Sequence, residues 1–401
     1  MTKRYTIAKD SVLEGCLVTP EVYNGILERF EIFVAPFIEH LRQRVQRRKA
    51  LDYMKGLMSD TERKNVESIA YFNGYDRQRL QFFIGQVEWD DEIILDKLTK
   101  RVAGEIGTKN GVLILDPTSF PKKGKQSVGV QRQWCGRLGK VDNCQVATFL
   151  AYAGTDEFAL VDRRLYLPKE WTDDPVRCRI AGVPEEHIVE KTRHEQSLEM
   201  LTTRGQKLPH DWVAGDDEMG RIPWFRKDLR KMKEPYVLAV PSNIAICDLE
   251  NADQKNADVF IPVQKWMKSV PAERRQTIKV RRGHRGWLSV RLVTCRVLAK
   301  IEGEIGDEEM LIVSKWRDET GKPRCDYYLS YDKGRTSLDE YARVIKTAYR
   351  IEEGFRRAKG ECGLADYQVR NWRGWHHHVA LAMLSQWFLT EELMSQKKRF
   401  R

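Results

Sequence analysis

Residues 111–136 read GVLILDPTSFPKKGKQSVGVQRQWCG, and the fold turns on how they are interpreted. Val112 to Leu115 are apolar without interruption, as in a short strand buried on both faces. The run ends on Asp116, and a loop containing Lys122, Lys123 and Lys125 follows, with Arg132 just beyond. A carboxylate at the end of a buried strand either caps a turn or works on a ligand. In open α/β sheets ligands bind at that edge.

Downstream, CQVATFLAYAG and FALVDRRLYLP read as two further strands joined by a turn at Gly154-Thr155-Asp156. A helix over RHEQSLEMLTTRG, a strand over DWVAGDD, a helix over PWFRKDLRKMK and a strand over PYVLAVPS follow. A meander succeeded by alternating strands and helices predicts a mixed sheet covered by helices. Residues 1–105 read as helical, with three- and four-residue apolar spacing broken near Pro36 and with Ser59 or Asp60 as an N-cap for the helix beyond. Residues 242–335 read as a β-rich insertion that includes EMLIVSKW and CDYYLSYDKG as antiparallel strands. Helical pattern resumes from 336 to 401, leaving 106–241 as the first part of the core.

Two more acids stand out. Asp216 follows WVAG, again where a strand gives way to a loop. On a helical wheel, Glu352 and Lys359 fall beside the apolar arc of Val344, Ala348, Ile351, Phe355 and Ala358, whereas Glu353 points away. Buried charge needs partners. Seven residues separate Glu352 from Lys359 by roughly 10 Å along the axis, so a cation for Glu352 and a separate anion for Lys359 are expected. Two strand-end aspartates and a helix glutamate form an oxygen-rich set suited to Mg²⁺ and to phosphoryl transfer.

The 401-residue chain carries 69 Lys and Arg against 58 Asp and Glu, a net charge of +11. The excess is concentrated between Gln264 and Lys300, where eleven basic residues face one acid, Glu273. Arg274, Arg275, Lys279, Arg281, Arg282 and Arg285 lie in that segment with Trp266 and Trp287 interleaved, the pattern of a β-rich surface facing nucleic acid. No apolar run is long enough to span a membrane and no secretory signal is visible, so cytoplasmic residence is expected. The eight cysteines lack a C-x-x-C pair and read as reduced thiols.

Three blocks, LDPTSFPKKGKQSVGVQRQWCGRLGKVDNCQVA, WVAGDDEMGRIPWFRKDL with PYVLAVPS, and YRIEEGFRRAKGECGLADYQVRNWRGWHHHVALAML, resemble the Asp-Asp-Glu transposases of bacterial insertion sequences. The likeness is to the cut-and-paste group with a β-strand insertion domain, and YMKGLMSDTERKNVESIA near the N-terminus resembles it too. The resemblance implies a ribonuclease H-like α/β core, a helical N-terminal DNA-binding domain, and Asp116, Asp216 and Glu352 as the catalytic, metal-holding acids. Asp216 rather than Asp217 takes the motif position, four before Gly220. Lys359 matches the lysine seven after the glutamate, but Ile345 and Ala348 stand where the group often has tyrosine and arginine, leaving Tyr349 or Arg350 as substitutes.

The resemblance further implies Mg²⁺, with Mn²⁺ as a substitute, and no nucleotide cofactor. Its DNA partners are the inverted repeats and the target, bound by a homodimer in the bacterial nucleoid. A water would nick DNA at the element ends, and the freed 3′-hydroxyl would attack another phosphodiester. The alternatives are a DNA-binding protein without catalysis and a nuclease without strand transfer. His376-His377-His378 cannot converge on one ion, because consecutive helix positions point 100° apart. Trp372, Trp375 and Trp387 read as core.

Overall fold

The computed structural model describes residues 25–250, 259–283, 286–317, 321–332 and 336–399. It opens with helices α1 (Ile26–Ile38), α2 (Arg44–Leu57), α3 (Val66–Phe72), α4 (Arg77–Gly85) and α5 (Asp91–Ile106). The expected break falls at 39–43, just past Pro36, which α1 accommodates in its last turn. Neither Ser59 nor Asp60 caps the helix that follows. Asn65 does, accepting from the Ser68 amide, because the chain stays non-helical through 59–65.

Next come β1 (Val112–Pro121), β2 (Gln131–Cys135), β3 (Lys140–Ala153), β4 (Phe158–Leu165), α6 (Lys169–Thr172), α7 (Pro175–Ile180) and α8 (Arg193–Thr203). They are followed by β5 (Trp212–Gly215), α9 (Asp217–Gly220), α10 (Pro223–Lys231) and β6 (Tyr236–Val240). The insertion supplies β7 (Ala245–Asp248), β8 (Ile261–Pro262), α11 (Val263–Ser269), β9 (Gln276–Gly283), β10 (Gly286–Ile301), β11 (Glu304–Arg317) and β12 (Pro323–Tyr331). Helices α12 (Leu338–Ala348), α13 (Arg350–Glu361) and α14 (Trp372–Arg399) close the fold.

The core sheet runs β4-β3-β1-β5-β6. β3 is antiparallel to β1 and β4, while β5 is parallel to β1 and β6 parallel to β5. This is the ribonuclease H-like mixed sheet flanked by helices that the resemblance implies. Val112 to Leu115 are fully buried, as a strand covered on both faces requires. The β-rich segment extends the same sheet. β12 pairs antiparallel with β6, from Tyr327↔Val240 to Tyr331↔Tyr236, and β11 and β10 continue outward. It carries a smaller apolar cluster of its own around Trp266, Val293, Val297, Leu311 and Leu329.

The N-terminal helices share one apolar cluster with the core, from Phe30 through the sheet to Phe388 on α14. Ion pairs Arg29–Glu392 at 2.6 Å and Arg101–Glu391 at 2.5 Å flank that interface. Among the described residues no helix is long and apolar enough to cross a membrane. None of the seven described cysteines is in a disulfide, and all are buried except the half-buried Cys325.

Candidate active site

The register places the two aspartates side by side. Parallel pairing of β1 with β5 ends at Leu115↔Gly215, so Asp116 and Asp216 each follow the last paired residue. Asp216 lies just past β5, whereas Asp116, expected at a strand end, lies inside β1, which runs on to Pro121 because β3 stays paired with it. Strands lie about 4.8 Å apart. Gly215 allows the chain to turn there, since a Cβ would meet Met219 at 3.0 Å and Leu238 at 3.1 Å. Asp216 then N-caps α9, its Oδ1 accepting from the Glu218 and Met219 amides at 3.1 Å each. It is a cap residue and a pocket residue at once.

Glu352 reaches the same place from α13. Gly354 sets that helix against the sheet, since a Cβ would fall 2.3 Å from the Phe158 ring. Asp116, Asp216 and Glu352 line one cavity of about 470 Å³, together with Asp217, Asp326, Ile345, Ala348 and Tyr349. Glu353 faces away and pairs with Arg356. Glu352 is exposed rather than buried, so it needs no buried counter-charge, and the expected cation is not there: it has no ion-pair partner among the described residues.

Electrostatics mark the cavity as short of positive charge. The Asp116 carboxyl is held well above the usual carboxylate range by desolvation and then by the charges of Asp216 and Glu352. Asp216 is pushed up to about 6, first by desolvation and then by Glu218, against the lowering effect of its cap bonds. Lys359 stands nearby with its Nζ donating to Thr118 Oγ1 at 2.7 Å. In place of the expected anion it meets a hydroxyl directly, although the Asp116 charge is also felt. Burial, then Arg137, brings Lys359 down to about 8.

An all-oxygen anionic donor set with an uncompensated carboxylate suits a hard divalent cation. Among the described residues no three such side chains yet converge on a common point, so binding a cation by all three acids requires side-chain rotation.

Residues 36–254 match the family described as DDE superfamily endonuclease, a span that holds Asp116 and Asp216 and stops short of Glu352. The chain belongs to the DDE superfamily endonucleases. Over 93 residues this DDE endonuclease is 36% identical to a probable transposase for insertion sequence element IS701 from Microchaete diplosiphon. That alignment spans 23% of this chain and 24% of the relative. A cryo-EM structure of a piggyBac transposase synaptic complex with hairpin DNA superposes with a TM-score of 0.45 and 12% identity, covering 93% of this chain and 73% of that one.

The basic residues of this DDE endonuclease separate by environment. Lys123, Lys125 and Arg132 are all exposed at the surface. Lys122 turns inward instead: its Nζ donates to the Tyr367 carbonyl at 3.1 Å and lies 3.4 Å from the centre of the Tyr367 ring. Burial brings it down to about 7. Arg274 pairs with Glu250, and Arg275 donates to the Met267 and Val270 carbonyls, so both brace the insertion. Lys279 is exposed on β9. Arg281 and Arg282 follow it on the same strand, with side chains outside the described set, and Arg285 lies outside the described residues.

Tyr349 lines the cavity with its hydroxyl 3.3 Å from Asp326 Oδ2, whereas Arg350 bonds the Gly154 and Thr155 carbonyls at the β3–β4 turn. Asp326, which also accepts from Trp316 Nε1 at 2.5 Å, was not singled out by the sequence. Its signal was an acid inside the apolar strand CDYYLSY. The histidine triplet is structural. His376 bonds the Trp372 carbonyl, His377 has its two ring nitrogens 2.9 and 3.0 Å from the Ile84 and Trp89 carbonyls and as a neutral ring donates to one of them, and His378 bonds the Tyr53 hydroxyl. Burial pushes His377 down to about 3 and His378 down to about 4. Trp375 and Trp387 are core, while Trp372 is half-buried.

Proposed function

We propose that the chain is a metal-dependent transposase that cleaves DNA at the inverted-repeat ends of an insertion sequence and joins those ends to target DNA by cut and paste. The observation that carries this reading is the shared cavity of Asp116, Asp216 and Glu352, delivered by two adjacent strands where their mutual pairing ends and by one helix. These acids would hold Mg²⁺, or Mn²⁺ in its place. When bound, the ion supplies charge that activates an oxygen nucleophile and stabilises the leaving oxygen.

The chain's own groups do the rest. Asp216 keeps one oxygen on its cap and leaves the other for the cavity. Lys359, held at Thr118, places a cation beside Asp116 where a scissile phosphate would lie. Lys123, Lys125 and Arg132 on one side, and Lys279 with its neighbours on the insertion, would track the backbone of double-stranded DNA. Residues 1–105 would bind the element ends and a homodimer would bring two ends together.

The test incubates the protein with labelled inverted repeats from the DNA flanking its gene, Mg²⁺ and a target plasmid. Nicked and then joined products are expected, and Asp116→Ala, Asp216→Ala and Glu352→Ala should each abolish them while DNA binding persists. Nicking that survives these substitutions would refute the site. Binding without nicking would make the protein a DNA-binding relative, and cleavage without joining would make it a nuclease.

A further inference from the structure

We infer that Glu309, on strand β11 of the insertion, is a positioning residue for Asp216 and acts through Arg226. The inference rests on the reading of Asp216 as a working acid given above. Asp216 caps α9, a single turn of four residues. One turn has almost no stability of its own, because nucleating it costs more than its few hydrogen bonds return. Its ends must therefore be fixed from outside.

At the start, Asp216 itself does this. At the finish, Arg226 Nη1 donates to the Gly220 carbonyl at 2.5 Å. Gly220 is pressed so closely to β6 that a Cβ would lie 1.8 Å from the Ala239 carbonyl oxygen. Ala239 lines the acid cavity. Any slackening at Gly220 is thus transmitted directly to the cap.

Arg226 is in turn aimed by Glu309. Its Nε lies 2.9 and 3.2 Å from the two carboxylate oxygens, and the Tyr236 hydroxyl donates to Glu309 Oε1 at 2.5 Å. The Arg226 and Glu309 side chains are 2% and 1% exposed. Of the guanidinium nitrogens not used on Glu309, Nη2 makes no hydrogen bond among the described residues and Nη1 serves a second purpose. It is committed to the turn that carries Asp216. Glu309 pairs across the sheet with Val297 of β10, the strand whose other end forms the basic hairpin with β9. The insertion thereby helps set the catalytic edge of the sheet as well as extending it.

Three variants test this: Glu309→Gln, Arg226→Lys and the double replacement Arg226→Met with Glu309→Leu. A lysine can keep the charge pair but cannot hold the carbonyl and the carboxylate together in the guanidinium's planar geometry. Replacing both partners by apolar groups preserves packing without leaving a lone buried charge. Each variant is measured by thermal melting, by amide hydrogen exchange over residues 216–222, and by binding and nicking of the labelled ends.

The expected result is faster exchange confined to 216–222, unchanged DNA affinity, and nicking slower by roughly 10–100-fold. Arg226→Lys and the double variant should show these losses with a near-native melting midpoint. Native exchange in 216–222 for every folded variant would overturn the inference, as would native nicking alongside it. Should the parent protein not nick DNA at all, the transposase reading fails while the exchange measurement still decides whether Glu309 holds the Asp216 turn.

Discussion

Asp216→Asn should make the metal-free protein more stable at neutral pH while removing its activity. The ordinary aspartate value of 3.8 is raised to about 6 in the fold, mainly by desolvation. A raised carboxyl pKa means that the folded state binds the proton more tightly than the unfolded state. The associated stability is complete below about pH 4 and is lost as pH rises through about 6. Above that, the ionised group costs the fold at most about 3 kcal/mol, two units at roughly 1.4 kcal/mol each.

Asparagine keeps the cap, since it serves as well as aspartate at that position, and it never ionises. Calorimetric melts in chelator should therefore coincide for the two proteins near pH 4. Near neutrality the variant should melt roughly 1–4 °C higher, given the large unfolding entropy of a chain this size. Added Mg²⁺ should stabilise the parent more than the variant and narrow the gap. A variant less stable than the parent at neutral pH, or a gap of equal size at both pH values, would contradict the assignment of a raised, desolvated carboxyl to Asp216.

Glu352→Gln should slow nicking roughly 100-fold or more, whereas Glu353→Gln, which only gives up its surface pair with Arg356, should leave the rate unchanged in the same assay. Replacing Lys123, Lys125 and Arg132 with glutamine should weaken DNA binding at all sequences and lower the salt slope by about 1 for each phosphate no longer neutralised. Lys122→Met should not alter that slope in a filter-binding titration, because its side chain is packed on Tyr367. Gly354→Ala should cost about 1–3 kcal/mol in denaturant unfolding by driving a methyl into Phe158, and should depress nicking by displacing α13. His377→Ala should cost about 3 kcal/mol by removing the stack on Trp89 and the ring's one N–H bond to a backbone carbonyl, with no change in metal dependence.

Many of the elements, and the three acids that come to share one cavity, were legible in the sequence. VLIL before Asp116 marked a buried strand, though not its end, since β1 runs on to Pro121 beside β3, and WVAG before Asp216 marked a second strand that does end there. The three- and four-residue apolar spacing read as one helix separated Glu352 from Glu353, and it did so although the structure divides that stretch at Tyr349 into α12 and α13, because helical phase is a local property. Strand periodicity likewise foretold β11 and β12. It could not say that β12 would bond to β6 and make the insertion part of the core sheet, since pairing is set by contacts between distant segments.

Which charges are free was settled by packing. Lys122 and Lys123 are neighbours with identical local chemistry, yet one is packed on Tyr367 and the other turns toward solvent. Glu352 sits on the apolar edge of its helix wheel yet opens to the cavity it shares with Asp116 and Asp216. Asp326 and the Arg226–Glu309 pair gain meaning only from what the sheet brings beside them. Sequence periodicity tells which face a side chain takes; what meets it on that face is fixed by the packing of the whole chain.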